Sequence, residues 1–191
     1  LEHASALCNL SLSESSPAAR QQIADEIGAI RITHDSDEIA LRHAKALSNA
    51  TSVESDLTAC ELLVHRIRAI RTVRDTADIA IAYARAVFNL ATTEPHWDAR
   101  QRLAEELRFL RSQHDSPGIA LLHAKTLTTV AQADCSPEHR SSVAAKIAEI
   151  RITHDSEAIA HMHAIALSRA TVGQTDPATL QRIVDGLRTI D

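Results

Sequence analysis

Aromatic side chains are nearly absent from this chain: one tryptophan, one tyrosine and two phenylalanines make up 2% of its 191 residues. A core with so few rings must be filled by aliphatic side chains and alanine. That suits helices packed at close range better than sheets, whose surfaces favour aromatic and β-branched residues. Four glycines are too few for phosphate-cradling loops or for the hairpins of a β-rich fold. Cys8, Cys60 and Cys135 are odd in number and lack metal-ligand spacing. Neither a disulfide framework nor a zinc site is expected, and a reducing, cytoplasmic compartment is. No run resembles a signal peptide or is long and apolar enough to span a bilayer, so no membrane association is expected. Positive charge is also scarce. A net charge of −5 lacks the basic face that nucleic-acid binding needs, so nucleic acid is not an expected partner.

What the chain does have is a period. Written in rows of 40, as 1–40, 41–80, 81–120, 121–160 and 161–191, it aligns without insertion. Asp35, Asp75, Asp115 and Asp155 share a column, as do Ala4, Ala44, Ala84, Ala124 and Ala164. Leu7, Leu47, Val87, Leu127 and Leu167 share a third. A fixed period of this length marks a solenoid, in which each unit buries its apolar face only by stacking on its neighbours. The expected fold is all-α: a right-handed α-solenoid of about five 40-residue helix pairs, forming a single domain over residues 1–191. Leu1 to Leu7 already match the middle of a repeat helix, and no initiator methionine precedes them. A segment of a longer protein is therefore expected.

Each row carries two helical patterns. The first, over roughly 17–33, repeats Ile23, Ile27 and Ile30 at helical spacing and starts at Ser16, Asp56, Ser136 or Asp176. These are N-cap residues, and Pro17, Pro137 and Pro177 follow at the first helical position. His96 interrupts this cap column, and Pro95–Asp98 suggests a shifted start there. The second pattern starts at Ser36, Thr76, Ser116 and Ser156. Its apolar arc covers more than half the circumference and leaves a narrow polar stripe of Glu38, Arg42, Lys45, Asn49 and Ser52. A helix so widely apolar is wedged between its hairpin partner and both neighbouring rows. It forms the inner layer, and its stripe is what a concave face presents. Ala44, Ala84, Ala124 and Ala164 are expected to be buried at the close contacts of that layer.

The phrases Ala46-Leu47-Ser48-Asn49-Ala50-Thr51, Ala86-Val87-Phe88-Asn89-Leu90-Ala91 and Ala6-Leu7-Cys8-Asn9-Leu10-Ser11 resemble the end of the groove-lining helix of armadillo repeats. The approach to them, Asp35-x-x-x-Ile39-x-x-x-x-Ala44-x-Ala46-Leu47, resembles the shared armadillo/HEAT pattern. A tetratricopeptide-like hairpin repeat is the close alternative, and Tyr83 and Ala84 would suit it. The period is slightly short for armadillo, and the glycine between its first two helices is absent. In peptide-binding armadillo proteins the asparagine of that phrase grips the backbone of an extended peptide. The resemblance carries that role to Asn9, Asn49 and Asn89, with Thr129 and Arg169 standing in the later rows. The tryptophan column of that family reads Ser5, Lys45, Arg85, Lys125 and Ile165 here.

The basic residues of that column, with Arg42, would suit an extended acidic segment, because cations steer while amides pair with peptide groups. The candidate groove is Asn9, Asn49, Asn89, Lys45, Arg85, Lys125 and Arg42; the bland reading of the same residues is a solvated helix face. Arg31, Arg71, Arg111 and Arg151 each precede an aspartate by four residues, a spacing that ties helix ends. Seven of the eleven histidines occupy two columns: His3, His43, His123 and His163, and His34, His114 and His154. Equivalent residues of stacked rows stand about 8–10 Å apart, too far to share a zinc whose ligands lie at about 2.1 Å. No metal, cofactor or catalytic constellation is expected. The function implied is a non-enzymatic protein- or peptide-binding scaffold. The alternative is a structural spacer or self-assembly module. Apolar residues at both ends (Leu1, Leu7, Leu10, Ile183, Leu187, Ile190) are expected to be partly exposed and to allow end-to-end association of the isolated segment.

Overall fold

A computed structural model describes residues 1–133 and 135–190; Asp134 and Asp191, which fall within the predicted rows, lie outside the described residues. Among the described residues there are ten α-helices and no strand. They are α1 (Glu2–Ser13), α2 (Pro17–Thr33), α3 (Asp37–Thr51), α4 (Leu57–Val73), α5 (Ala77–Thr93), α6 (Trp97–Gln113), α7 (Pro117–Gln132), α8 (Pro137–Thr153), α9 (Glu157–Ala170) and α10 (Pro177–Arg188). The chain divides into two compact units, Leu1–Thr93 and Glu94–Asp191.

In the first unit α1, α3 and α5 pack side by side, and α2 and α4 lie in the angles between successive members of that row. No pair of Cα atoms from α2 and α4 comes within 8 Å, so these two helices stand apart over α3. The second unit is built the same way: α7 packs on α9, while α6, α8 and α10 fill the other layer with no pair of Cα atoms from different members within 8 Å. The packing is sequential throughout each unit, as a helical repeat requires.

The local causes are the caps. Ser16, Asp56, Ser136 and Asp176 each accept the backbone N–H three residues on, opening α2, α4, α8 and α10. Ser36, Thr76, Ser116 and Ser156 do the same for α3, α5, α7 and α9. A second device lies two residues before the cap position. Glu14, Glu54, Glu94 and Gln174 accept the backbone N–H at or next to the cap residue, at 2.8–3.0 Å. This device accounts for the departure at the third row. His96 provides no side-chain cap, yet α6 starts at Trp97, in register with Pro17 and Pro137, and not shifted as Pro95–Asp98 suggested. Glu94 Oε1 accepts from His96 N at 2.9 Å and holds the turn in place.

The core is aliphatic. Ala44, Ala84 and Ala124 are fully buried, with Leu47, Val87 and Leu127 one turn on. Small residues at those points let neighbouring helices approach; enlarging one typically costs about 1–3 kcal/mol through overpacking. Ala164 departs from the expectation and is only half-buried, because α9 packs on α7, α8 and α10 with no further helix on its open side among the described residues. The apolar ends also divide. Leu1 and Leu10 are exposed and Leu187 and Ile190 half-buried, but Leu7 and Ile183 are buried. Leu7 and Ile183 sit on the inward faces of α1 and α10, where each helix packs on its neighbours.

Arginine supplies a staple that column reading overlooks. Arg20 is buried; its Nη1 donates to the carbonyl of Asn49 at 2.6 Å and to Ser52 Oγ at 2.8 Å, and its Nε donates to the carbonyl of Glu14. Arg100 repeats this on Glu94 and Thr129, and Arg140 reaches the carbonyl of Val172. In each case a charged fork satisfies the orphan carbonyls at a helix end.

Candidate functional site

A cleft of about 380 Å³ opens on the face of the first unit's α1–α3–α5 layer that points away from α2 and α4, lined only by residues of those three helices. Five of the seven predicted groove residues line it: Asn9 from α1, Arg42, Lys45 and Asn49 from α3, and Arg85 from α5. Asn89, near the end of α5, does not line this cleft. Lys125 sits half-buried on α7 of the second unit.

The three asparagines do not behave alike. Asn9 is exposed. Asn49 is 6% exposed, and its Nδ2 donates to Ser11 Oγ at 2.8 Å. Asn89 is half-buried and donates from Nδ2 to Thr51 Oγ1 at 2.9 Å. The predicted stripe is thus narrower than drawn, since Asn49 faces the preceding row and commits one amide hydrogen to it. Thr129, in the same column of the second unit, turns its hydroxyl back to the carbonyl of Thr126.

The cations set the electrostatics. Arg42 is tied to Glu38 on its own helix, and its buried Nε has no hydrogen-bond partner. Lys45 is half-buried, Arg85 is exposed, and among the described residues neither forms an ion pair with a carboxylate. Elsewhere in the chain pairing is common. Arg31, Arg71, Arg111 and Arg151 each hold the aspartate four residues on, at 2.8–3.4 Å. Arg74 bridges Asp35 and Asp37 of the preceding row, and His154 meets Asp115 at 2.8 Å. The predicted Arg–Asp column therefore ties helix ends, while Arg74 and His154 join successive rows. Asp78 also lines the cleft, at the first turn of α5. Ser48 Oγ lies buried there without a hydrogen-bond partner. The Cys8 thiol is free. Burial raises its pKa against the opposing pull of Arg42 and Lys45, so it is not an activated nucleophile.

Of the two histidine columns, the first is buried except at its start, where His3 is exposed. His43 and His123 are held neutral, each with its pKa pushed down to about 4, chiefly by burial and then by nearby arginines. His163 is lowered in the same direction, by burial first and then Arg151. Tyr83 takes the third place of that column, with Arg68 Nε donating to its hydroxyl at 2.9 Å and Arg71 over its ring. Among the described residues no group of three or more His, Cys, Asp or Glu side chains is placed to hold a metal ion, and no helix is long and apolar enough to cross a membrane. Of the other aromatics in the third row, Trp97 packs against His139 with ring centroids 4.7 Å apart, and Phe109 is exposed.

Comparison with known proteins returns no matching family model, no matching curated protein and no matching solved structure.

Proposed function

We propose that the chain is a non-enzymatic binding scaffold: a right-handed solenoid of about five helix pairs whose concave face takes an extended acidic segment of another protein. The observation that carries this is the pair Lys45 and Arg85. They line one cleft without carboxylate partners, in a protein of net charge −5 whose other cations are largely engaged. Two cations left unpaired in a cleft give an acidic ligand orientation and a faster encounter more than raw affinity. Two helices per row, with no third short helix among the described residues, support a HEAT-like or tetratricopeptide-like unit over a three-helix armadillo unit. An intracellular, reducing location fits the free thiols.

The spacer reading has one observation of its own. Asn49 and Asn89 spend an amide hydrogen on the preceding row, which is a structural use of the residues expected to grip a peptide. The deciding experiment is capture of partners from the native source with the parent chain and with the Lys45→Glu, Arg85→Glu double variant. A scaffold loses an acidic partner on charge reversal. Retention of every captured protein by the variant would assign the chain to the spacer class.

A further inference from the structure

The opposite face of the first unit holds a second cleft, of about 620 Å³, between α2 and α4 and floored by His43 of α3. Its walls carry Asp25 and Arg31 from α2 and Arg66 from α4, and Asp35 stands in the α2–α3 turn. No titratable group of α1 or α5 lines it. His43 is 8% exposed, and neither of its ring nitrogens has a hydrogen-bond partner. Leaving such a group unmet is destabilising. The chain also accepts a glycine in mid-helix to seat this ring. A Cβ at Gly28 would lie 3.1 Å from His43 Cε1 and 3.2 Å from Nε2, and a helical glycine is destabilising relative to alanine.

The other rows show what a merely structural ring at this position looks like. Tyr83 receives a hydrogen bond from Arg68, and His163 has Arg151 within 3.4 Å of Nδ1. Among the described residues, only His43 and His123 keep buried, unpartnered ring nitrogens beside a cleft. The His123 cleft lies between α6 and α8, at about 350 Å³, and is lined at the equivalent positions by Arg111, Asp115 and Lys146. Arg108 replaces the glycine there, and Glu105 is clamped by both Arg108 and Lys146.

We infer that the His43 cleft is a binding site for a small phosphorylated molecule, whose phosphate is held by Arg31, Arg66 and the His43 imidazole. The three donors stand on three different helices, which suits a tetrahedral oxyanion better than a planar one. Each arginine spends one nitrogen on its present ion pair: Nε of Arg31 on Asp35, and Nη2 of Arg66 on Asp25 at 2.7 Å. The guanidinium fork has further N–H donors to offer. The Asp25 carboxylate is 62% exposed, so its pair with Arg66 is worth little and is readily exchanged for a ligand. The remaining volume falls within the range of small-molecule sites. His43 is neutral because burial and the two arginines disfavour its charge; a bound dianion reverses that balance and raises its pKa.

The test is an NMR titration of the histidine ring protons of the folded chain with inorganic phosphate, and with acetate as the planar oxyanion. The His43 signal is assigned by ring-to-backbone correlation on the parent, so no His43 variant is required. A saturable shift of His43, at lower phosphate than any shift of His123, is expected, together with an upward move of its titration midpoint. Arg66→Gln should weaken this response about tenfold or more, the loss of one charge-assisted contact. Asp25→Asn should strengthen it by freeing Arg66. Linear shifts no different from those of exposed His3 and His65 would overturn the proposal, as would a response that survives Arg66→Gln or one as strong with acetate.

Discussion

Asn89 donates from its Nδ2 to Thr51 Oγ1, 38 residues earlier in the chain, at 2.9 Å, and Asn49 takes the same step back to Ser11 at 2.8 Å. The acceptor hydroxyls are themselves donors to the carbonyls of Ser48 and Cys8. A short relay thus links helix end to helix end through the α1–α3–α5 row. Asn89→Ala and Asn49→Ala should each cost about 1 kcal/mol, the net worth of one such bond. Asn9→Ala, at an exposed position, should stay within about 0.5 kcal/mol. Urea unfolding of the three variants checks the order. Equal effects at all three positions would remove the relay from the account of stability.

Arg20 should matter more than any other arginine of the first unit. Its buried guanidinium closes α2 onto the last turn of α3 through the carbonyl of Asn49, Ser52 Oγ and the carbonyl of Glu14. Arg20→Met leaves those acceptors unmet and should destabilise by about 2–4 kcal/mol. Arg20→Lys should rescue little, because one ammonium cannot reproduce the planar fork. A melting temperature for Arg20→Lys close to the parent's would show that charge alone suffices.

The helices were legible in the sequence because their signals are local. A serine or aspartate cap accepts an N–H three residues on, and Pro17, Pro137 and Pro177 open α2, α8 and α10 where the cap column put them. The buried alanine column was legible because a small residue recurring at a fixed step is a packing constraint. What escaped depends on long-range partners. A helical wheel placed Asn49 on the polar stripe, but not the Ser11 hydroxyl 38 residues back that draws its amide inward. Arg20 carries no signal of its own in the sequence because Cys60 takes its place in the next row, so no complete column announces the staple. Glu94 stands in a visible column with Glu14, Glu54 and Gln174, but its carboxylate acts on backbone N–H groups, and that role leaves no pattern in its neighbours' side chains. The cleft was legible in composition and less so in membership, since columns give direction and not which row ends a pocket.

Acid should loosen the fold in a definite window. His43 and His123 have native pKa values of about 4 against about 6.5 in the unfolded chain. Between those limits the unfolded state binds more protons, so stability is full above pH 6.5 and falls as pH drops toward 4. The loss is of the order of 3 kcal/mol per histidine, at about 1.4 kcal/mol per pH unit. Glu105, held down to about 2 by Lys146 and Arg108, adds a further loss below its unfolded value of about 4.5, in the same direction. Urea midpoints measured from pH 7.5 to 4.5 should decline, and the decline should be shallower for His43→Gln. A flat profile would mean that these rings titrate in the native state over the same pH range as in the unfolded chain.

The binding prediction rests on salt and charge together. A ligand steered to Lys45 and Arg85 should bind less tightly as salt rises, since exposed charges are screened over roughly 8–10 Å at physiological ionic strength. An acidic peptide from a captured partner, titrated against the parent chain, should therefore lose affinity with added sodium chloride. Lys45→Glu with Arg85→Glu should abolish the interaction, and adding Lys125→Glu tests whether the second unit contributes. Neither Lys45 nor Arg85 is buried in the core, so helicity and melting temperature should change little, within about 0.5 kcal/mol per site. Arg42→Gln should have a smaller effect, because Arg42 is already neutralised by Glu38. If affinity is indifferent to salt and survives the triple reversal while the fold is intact, the cationic cleft is a solvated helix face, and the asparagine relay beneath it is the whole purpose of that column.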